Sequence, residues 1–108
     1  MPWRVETLNS GVDRELASLP GDMRAHLIRI GELIEAVGLP SVGLPHVRHL
    51  HGPLWEMRLR DRAGIARALY VTARGQRVVI VRAIIKKTEK TPGREIALAL
   101  DRAKELNP

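Results

Sequence analysis

The sequence predicts an α+β fold in the order β-α-α-β-β-β(-β)-α, a mainly antiparallel curved sheet with helices packed on one face. Three observations predict it. Apolar residues recur at helical spacing over the first third of the chain, the period switches to two after His46, and a last helical stripe follows Thr91-Pro92. At 108 residues the chain is long enough for one core and too short for two, so residues 1–108 are read as one domain.

The elements follow in order. Pro2 to Leu8 reads as a short extended segment, and Ser10-Gly-Val-Asp13 has the spacing of a capping box at a helix start. Val12, Leu16 and Leu19 share one face before Pro20 and Gly21 break that helix. A second helix carries Met23, Leu27, Ile30, Ile34 and Val37 at steps of three and four, with Gly38 placed to stop it. Leu39 to Pro45, with two prolines and a glycine, is a loop. Trp55, Met57 and Leu59 then alternate with Glu56, Arg58 and Arg60, which gives a strand with one core face and one charged face. Turns at Asp61–Gly64 and Ala73–Gln76 separate it from strands at Ile65–Thr72 and Arg77–Ile85, consecutive hairpins of a meander. Thr91 as N-cap and Pro92 at the first helical position start the last helix, whose apolar face is Ile96, Ala99, Leu100, Ala103 and Leu106.

Charge is segregated along these elements. Residues 1–45 hold four basic and six acidic side chains, residues 46–94 twelve and three, and residues 95–108 two and three, so the net charges are −2, +9 and −1. Packing does not require nine net positive charges in the sheet region; a polyanion does. Arg outnumbers Lys there, and Arg is the planar, bidentate partner of phosphate oxygens. The bland alternative is a solvated surface that keeps a small protein soluble.

Alternation aims the charge. If Trp55, Met57 and Leu59 face the helices, Arg58 and Arg60 face away, and placing Ala66, Ala68 and Tyr70 under the helices turns Arg67 outward to join them. Lys86, Lys87 and Lys90 follow the last strand, and Arg94 opens the last helix near free backbone N–H groups. Such a face suits a phosphodiester and the extra charge of an in-line displacement, with no metal needed. Arg48 and Arg62 are further candidates for the nucleic-acid backbone.

Other chemistries find less support. Without cysteine there is no thiolate zinc site, disulfide or Cys nucleophile, and no P-loop, glycine fingerprint or paired-carboxylate motif occurs. His46, His49 and His51 are spaced like a metal cluster but lack a carboxylate or thiolate partner, so a structural or RNA-contacting role is assigned to His49 and His51, and none to a metal. His26 reads as a surface residue. With only Trp3, Trp55 and Tyr70 aromatic, a platform stacking several bases is disfavoured. MPWRVETLNS lacks a signal-peptide core and no run has transmembrane length, so a soluble cytoplasmic protein is expected.

The segments His49-Leu-His-Gly-Pro-Leu-Trp-Glu-Met-Arg-Leu-Arg60, Gly64-Ile-Ala-Arg-Ala-Leu-Tyr70 and Ile84-Ile-Lys-Lys-Thr-Glu-Lys-Thr-Pro-Gly-Arg-Glu-Ile-Ala-Leu-Ala99 resemble the phage-derived, HigB-like branch of the RelE/ParE toxin superfamily. The resemblance spans roughly residues 3 to 106 and is sharpest at KKTEKTP followed by REIALA. It implies the toxin half of a type II toxin–antitoxin pair, a ribosome-dependent endoribonuclease (mRNA interferase) that cuts mRNA by attack of the ribose 2′-OH, without cofactor. The implied partners are a helix-turn-helix, HigA-like antitoxin, the ribosome and mRNA, with no membrane.

Carried onto this chain, the resemblance makes Arg67 the stabiliser of the phosphorane, Arg58 a second catalytic arginine, and Lys86 or Lys87 the acid. Arg60, Arg48, Arg62, Lys90, Arg94, His49 and His51 are the implied RNA contacts. Glu56 stands where RelE has a lysine, which removes a candidate base, and neither RelE's helical tyrosine nor the C-terminal aspartate and histidine of better-known HigB proteins has a match. ParE-like members share the fold and poison DNA gyrase, so a non-catalytic gyrase inhibitor remains an alternative, as does a nucleic-acid-binding module acting with its antitoxin.

Overall fold

The structure, a computed structural model, describes residues 2–43, 45–62, 64–86 and 90–106, with the side chain of Lys86 left out. The elements are β1 (Arg4–Thr7), α1 (Ser10–Ala17), α2 (Gly21–Val37), a 3₁₀ turn at Leu39–Ser41, β2 (Val47–His51), β3 (Leu54–Asp61), β4 (Gly64–Ala73), β5 (Arg77–Lys86) and α3 (Gly93–Ala103). They form a five-stranded sheet in the order β1-β5-β4-β3-β2. Strands β2 to β5 are an antiparallel meander, and β1 returns parallel to β5, with a bidentate Arg77–Glu6 ion pair across that join.

Side-chain alternation divides the core in two. Met57 and Leu59 of β3, Ala66, Ala68 and Tyr70 of β4, and Val78 and Ile80 of β5 pack under Val12 of α1 and Met23, Ile30 and Ile34 of α2. The small alanines let α2 sit close. Leu54, Leu69, Val71, Val79 and Val81 project to the other face and pack with Ala99, Ile96 and Leu100 of α3. The expected one-sided helical layer therefore holds for α1 and α2, whereas α3 covers part of the opposite face. The physical reason lies in β4 and β5, which are apolar on both faces and must be covered on both.

Three local details differ from the sequence reading. Asn9, not Ser10, caps α1, its Oδ1 accepting from the Val12 N–H at 3.0 Å. Pro92, without a side-chain cap, precedes α3, because the Thr91 hydroxyl is engaged by Glu56 instead. Val37 is half exposed, beyond the reach of the core. Gly38 does end α2, at φ +86°, and a Cβ there would come within 3.3 Å of Trp3 Nε1.

A clip of ion pairs joins the two helical layers around the β5 edge. Arg82 reaches Glu15 of α1 at 2.7 Å and Glu95 of α3 at 2.8 Å, and Arg102 of α3 reaches Glu15 at 2.8 Å. Burial, which disfavours the Glu15 carboxylate, is outweighed by hydrogen bonds from Arg102, the Ala83 N–H and Arg82, so its pKa lies below the usual value. Among the described residues no helix is long and apolar enough to cross a membrane.

Candidate functional site

The face of the sheet bearing α3 packs against that helix at one end and carries the exposed Arg48 and Arg60 at the other. Strand pairing settles what lies on the open end: Arg58 is directly opposite Arg67, Arg48 is directly opposite Glu56, and Arg60 lies two residues along β3 from Arg58. Arg48, Arg58, Arg60 and Arg67 therefore share one face with a single carboxylate, Glu56, among them. That much the alternation anticipated.

Arg67 corrects the expectation. It does turn to this face, yet it is only 1 % exposed, and its Nη1 donates to Glu56 Oε1 at 2.6 Å. Glu56 is likewise 1 % exposed and accepts from the Thr91 hydroxyl at 3.0 Å through its other oxygen. Arg48, 51 % exposed, approaches the same carboxylate at 3.8 Å. The short contact pairs the buried carboxylate with the guanidinium. Thr91, just before α3, is thus tied to the carboxylate that holds Arg67, and the guanidinium is engaged inside the protein rather than presented to a ligand.

The accessible part of the face is Arg58 and Arg60 on β3 and Arg48 on the edge strand. Arg58 is partly buried, and its Nε is buried without a hydrogen-bond partner among the described residues. Two like charges directly across a strand pair repel. Glu56 pairs with Arg67, and among the described residues Arg58 has no ion-pair partner beside it.

The remaining expected residues fall in different places. Arg62 is exposed in the β3–β4 turn, and Lys90 and Arg94 are exposed at the start of α3, which Thr91 anchors to Glu56. Lys86 ends β5 opposite Ile65, and Lys87 lies outside the described residues. His51 is exposed at the end of β2. His49 is not brought to the arginines: it pairs with Trp55 on the other face, ring centroids 5.1 Å apart, and its Nε2 is 2.9 Å from the Gly52 carbonyl. Among the described residues no cluster of His, Cys, Asp or Glu forms a metal-ligand set.

Two features escaped the sequence reading. Glu56, noted only as a departure, is the hub of the face. His26 is not a spare surface residue: its Nδ1 accepts the Arg60 N–H at 3.0 Å, past the end of β2, where the sheet offers that N–H no strand partner. Its ring meets His46 edge-on, and His46 in turn accepts the Arg58 N–H through its carbonyl at 2.8 Å. Burial, followed by the positive charges of Arg29, His46 and Arg60, lowers the His26 pKa below the ordinary value of 6.5. A carboxylate inside an alternating strand and a histidine 34 residues from its partner leave no local sequence signal.

Residues 14–104 match the family described as phage derived protein Gp49-like (DUF891). No curated protein matches the chain. Among solved structures, a double Arg-to-Ala mutant of the E. coli toxin RelE in the free state is similar at a TM-score of 0.65 and 14 % identity, covering 94 % of this chain and 98 % of that one. The archaeal RelE–RelB complex from Pyrococcus horikoshii OT3 is similar at a TM-score of 0.57 and 22 % identity, with 81 % and 98 % covered. The fold is that of RelE.

Proposed function

Since the chain belongs to the phage-derived Gp49-like family and carries the RelE fold around an open arginine face, we propose that it is the toxin of a type II toxin–antitoxin system, acting in the cytoplasm as a ribosome-dependent mRNA endoribonuclease. The observation that carries this reading is Arg58. A guanidinium only partly removed from water, with no ion-pair partner among the described residues, suits an anion arriving from outside. Arg60 and Arg48 flank it on the same face and extend the positive field along a strand of RNA.

In this mechanism the 2′-OH of one ribose attacks the adjacent phosphorus, the P–O5′ bond breaks, and a 2′,3′-cyclic phosphate and a 5′-OH result. The 2′-OH gives its proton to a base and the leaving O5′ takes one from an acid. Arg58 donates to the non-bridging oxygens, whose charge grows in the pentavalent state. Arg67, the residue expected there, acts by position: paired with Glu56, it fixes the backbone opposite Arg58. Lys86 and Lys87 are the proposed acid and base groups, with the ribosome completing the alignment. The partner that restrains the toxin is proposed to be a helix-turn-helix, HigA-like antitoxin; the complex of RelE with RelB supports an antitoxin partner in general.

One observation favours a second reading. With Arg67 engaged by Glu56, the face holds fewer presented cations than a phosphoryl-transfer site gains from, which suits a non-catalytic toxin directed at gyrase or a binding module. Induced expression separates the two. Translation arrest with coding-region transcripts cut to 5′-OH ends supports the nuclease, and intact transcripts with trapped gyrase–DNA complexes overturn it.

A further inference from the structure

Strand β3 is held differently along its two edges. Strand β4 pairs with it as far as Arg60 opposite Ile65 and Asp61 opposite Gly64, whereas β2 stops at Val47, opposite Met57. Two N–H groups of β3 lie past that stop, those of Arg58 and Arg60, whose side chains belong to the arginine face. The Arg58 N–H donates to the His46 carbonyl at 2.8 Å, and the His46 N–H is itself bonded to the Gly43 carbonyl at 3.0 Å. For Arg60 the acceptor is a side chain from α2 instead, Nδ1 of His26 at 3.0 Å. Helix α2 also packs on β3 from one face, where Met57 and Leu59, which alternate with the arginines, are fully buried in one cluster with Met23 and Ile30. His26 therefore does at the strand's edge what a further residue of β2 would do.

The bond depends on protonation. A backbone N–H can only donate, so Nδ1 must be the bare nitrogen of the ring and the proton must sit on Nε2. An imidazolium carries N–H on both nitrogens, so it loses the bond and sets a donor against a donor. The groups whose charge acts on the ring come from each element around it: Arg29 on α2, His46 ahead of β2, with its ring centroid 6.0 Å away, and Arg60 on β3. The acidic residues next along the same elements are Asp22, one turn back on α2, and Asp61, whose Oδ1 accepts the Gly64 N–H. Neighbouring guanidinium groups favour the neutral ring, the form that holds Arg60.

We infer that His26 is a positioning residue of the arginine face: reaching across from α2, it fixes the end of β3 that β2 leaves unpaired, and so sets where Arg60 and its neighbour Arg58 meet the RNA backbone. The inference rests on the RNA-cleaving reading of that face and adds to it a residue that acts only through the two arginines. What the bond supplies is placement, and a misplacement of about 1 Å in such a site costs up to about 10²-fold in rate.

The test measures cleavage of a defined mRNA on programmed ribosomes by the full chain, His26→Asn and His26→Ala, between about pH 8 and about pH 5, the range in which histidine changes charge. Folding of each protein is checked by melting at each pH. The Asn side chain places a carbonyl oxygen near the Nδ1 position and takes up no proton there. Parent cleavage is expected to fall as the pH drops below 6.5 and the ring charges. His26→Asn is expected to keep most of the rate near neutrality and to show a shallower acid fall, and His26→Ala to be slower on the order of 10-fold across the range. A role in stability alone would lower the melting temperatures and leave the shape of the profile unchanged. Parallel profiles for the parent and His26→Asn, or a folded His26→Ala that cleaves at the parental rate, overturn the positioning role and leave the arginine face standing. If His26→Ala does not fold, the comparison of the parent with His26→Asn decides alone. Absence of cleavage by the parent at every pH overturns the inference together with the nuclease reading beneath it.

Discussion

Replacing Arg67 by Ala should cost stability first and function only in consequence. The substitution removes the 2.6 Å partner of Glu56 and leaves a carboxylate 1 % exposed, with the Thr91 hydroxyl at 3.0 Å and the exposed Arg48 at 3.8 Å. Breaking a buried pair from one side costs about 3–5 kcal/mol, against a total stability on the order of 5–15 kcal/mol. For a chain of this size that lowers the melting temperature by on the order of 10–40 °C. Glu56→Leu should cost a similar amount by stranding the guanidinium charge. Replacing both, Arg67→Met with Glu56→Leu, should recover most of the loss, since apolar residues of similar volume are tolerated in place of a buried pair. Urea denaturation of the four proteins gives the coupling energy as a double-mutant cycle. A loss below about 1 kcal/mol for Arg67→Ala, or additive single effects, would refute the buried-pair argument. The folded double variant should also bind RNA within a few-fold of the parent; if binding collapses, the Arg67 guanidinium itself contacts RNA.

Two pH responses and one salt response follow from the same coordinates. His26 accepts the Arg60 N–H only when Nδ1 is unprotonated, and its folded pKa is lowered, so its stabilising effect is full above pH 6.5 and fades as the pH falls below that value; in thermal melts His26→Asn, which keeps an acceptor near that position, should flatten the decline. Glu15, also lowered, supports the clip above its ordinary pKa of 4.5 and loses that support as the pH falls toward its folded value, so Glu15→Gln should reduce stability at neutral pH and shrink the acid-induced loss. Arg60→Ala should weaken binding of all RNA sequences alike and reduce the slope of log affinity against log salt by about 0.7, the share of one phosphate contact on a single strand; an unchanged slope would take Arg60 off the phosphate track.

Much of the fold was legible because its signals are periodic. The α2 stripe, the switch to alternation at β3 and the small residues at Ala66 and Ala68 each specify a face, and those faces appear as read. The side of α3 was not legible. Strand β4 alternates between the faces without a polar set to mark either as open, so Leu69 and Val71 look like interior residues of any layer, and only their partners on α3 reveal a second core. The site divided in the same way. Register brought Arg58 and Arg67 opposite one another as alternation required, but direction is not exposure: Arg67 is buried and paired with Glu56, whose other oxygen is bonded by Thr91 from a segment distant in sequence. His49, read as structural or RNA-contacting, pairs with Trp55 and faces away from the arginines, whereas its neighbour Arg48 faces them.

Arg58 is the residue assigned to hold the scissile phosphate. The direct measurement is incubation of the purified chain and its Arg58→Ala variant, both shown by melting to be folded, with ribosomes programmed with a defined mRNA, followed by end mapping. The parent is predicted to leave 2′,3′-cyclic phosphate and 5′-OH ends at discrete sites, with cleavage by Arg58→Ala slower by roughly 10²–10³-fold, the scale for losing one transition-state donor. Undiminished cleavage by Arg58→Ala would contradict the assignment, and intact mRNA with the parent protein would contradict the nuclease itself.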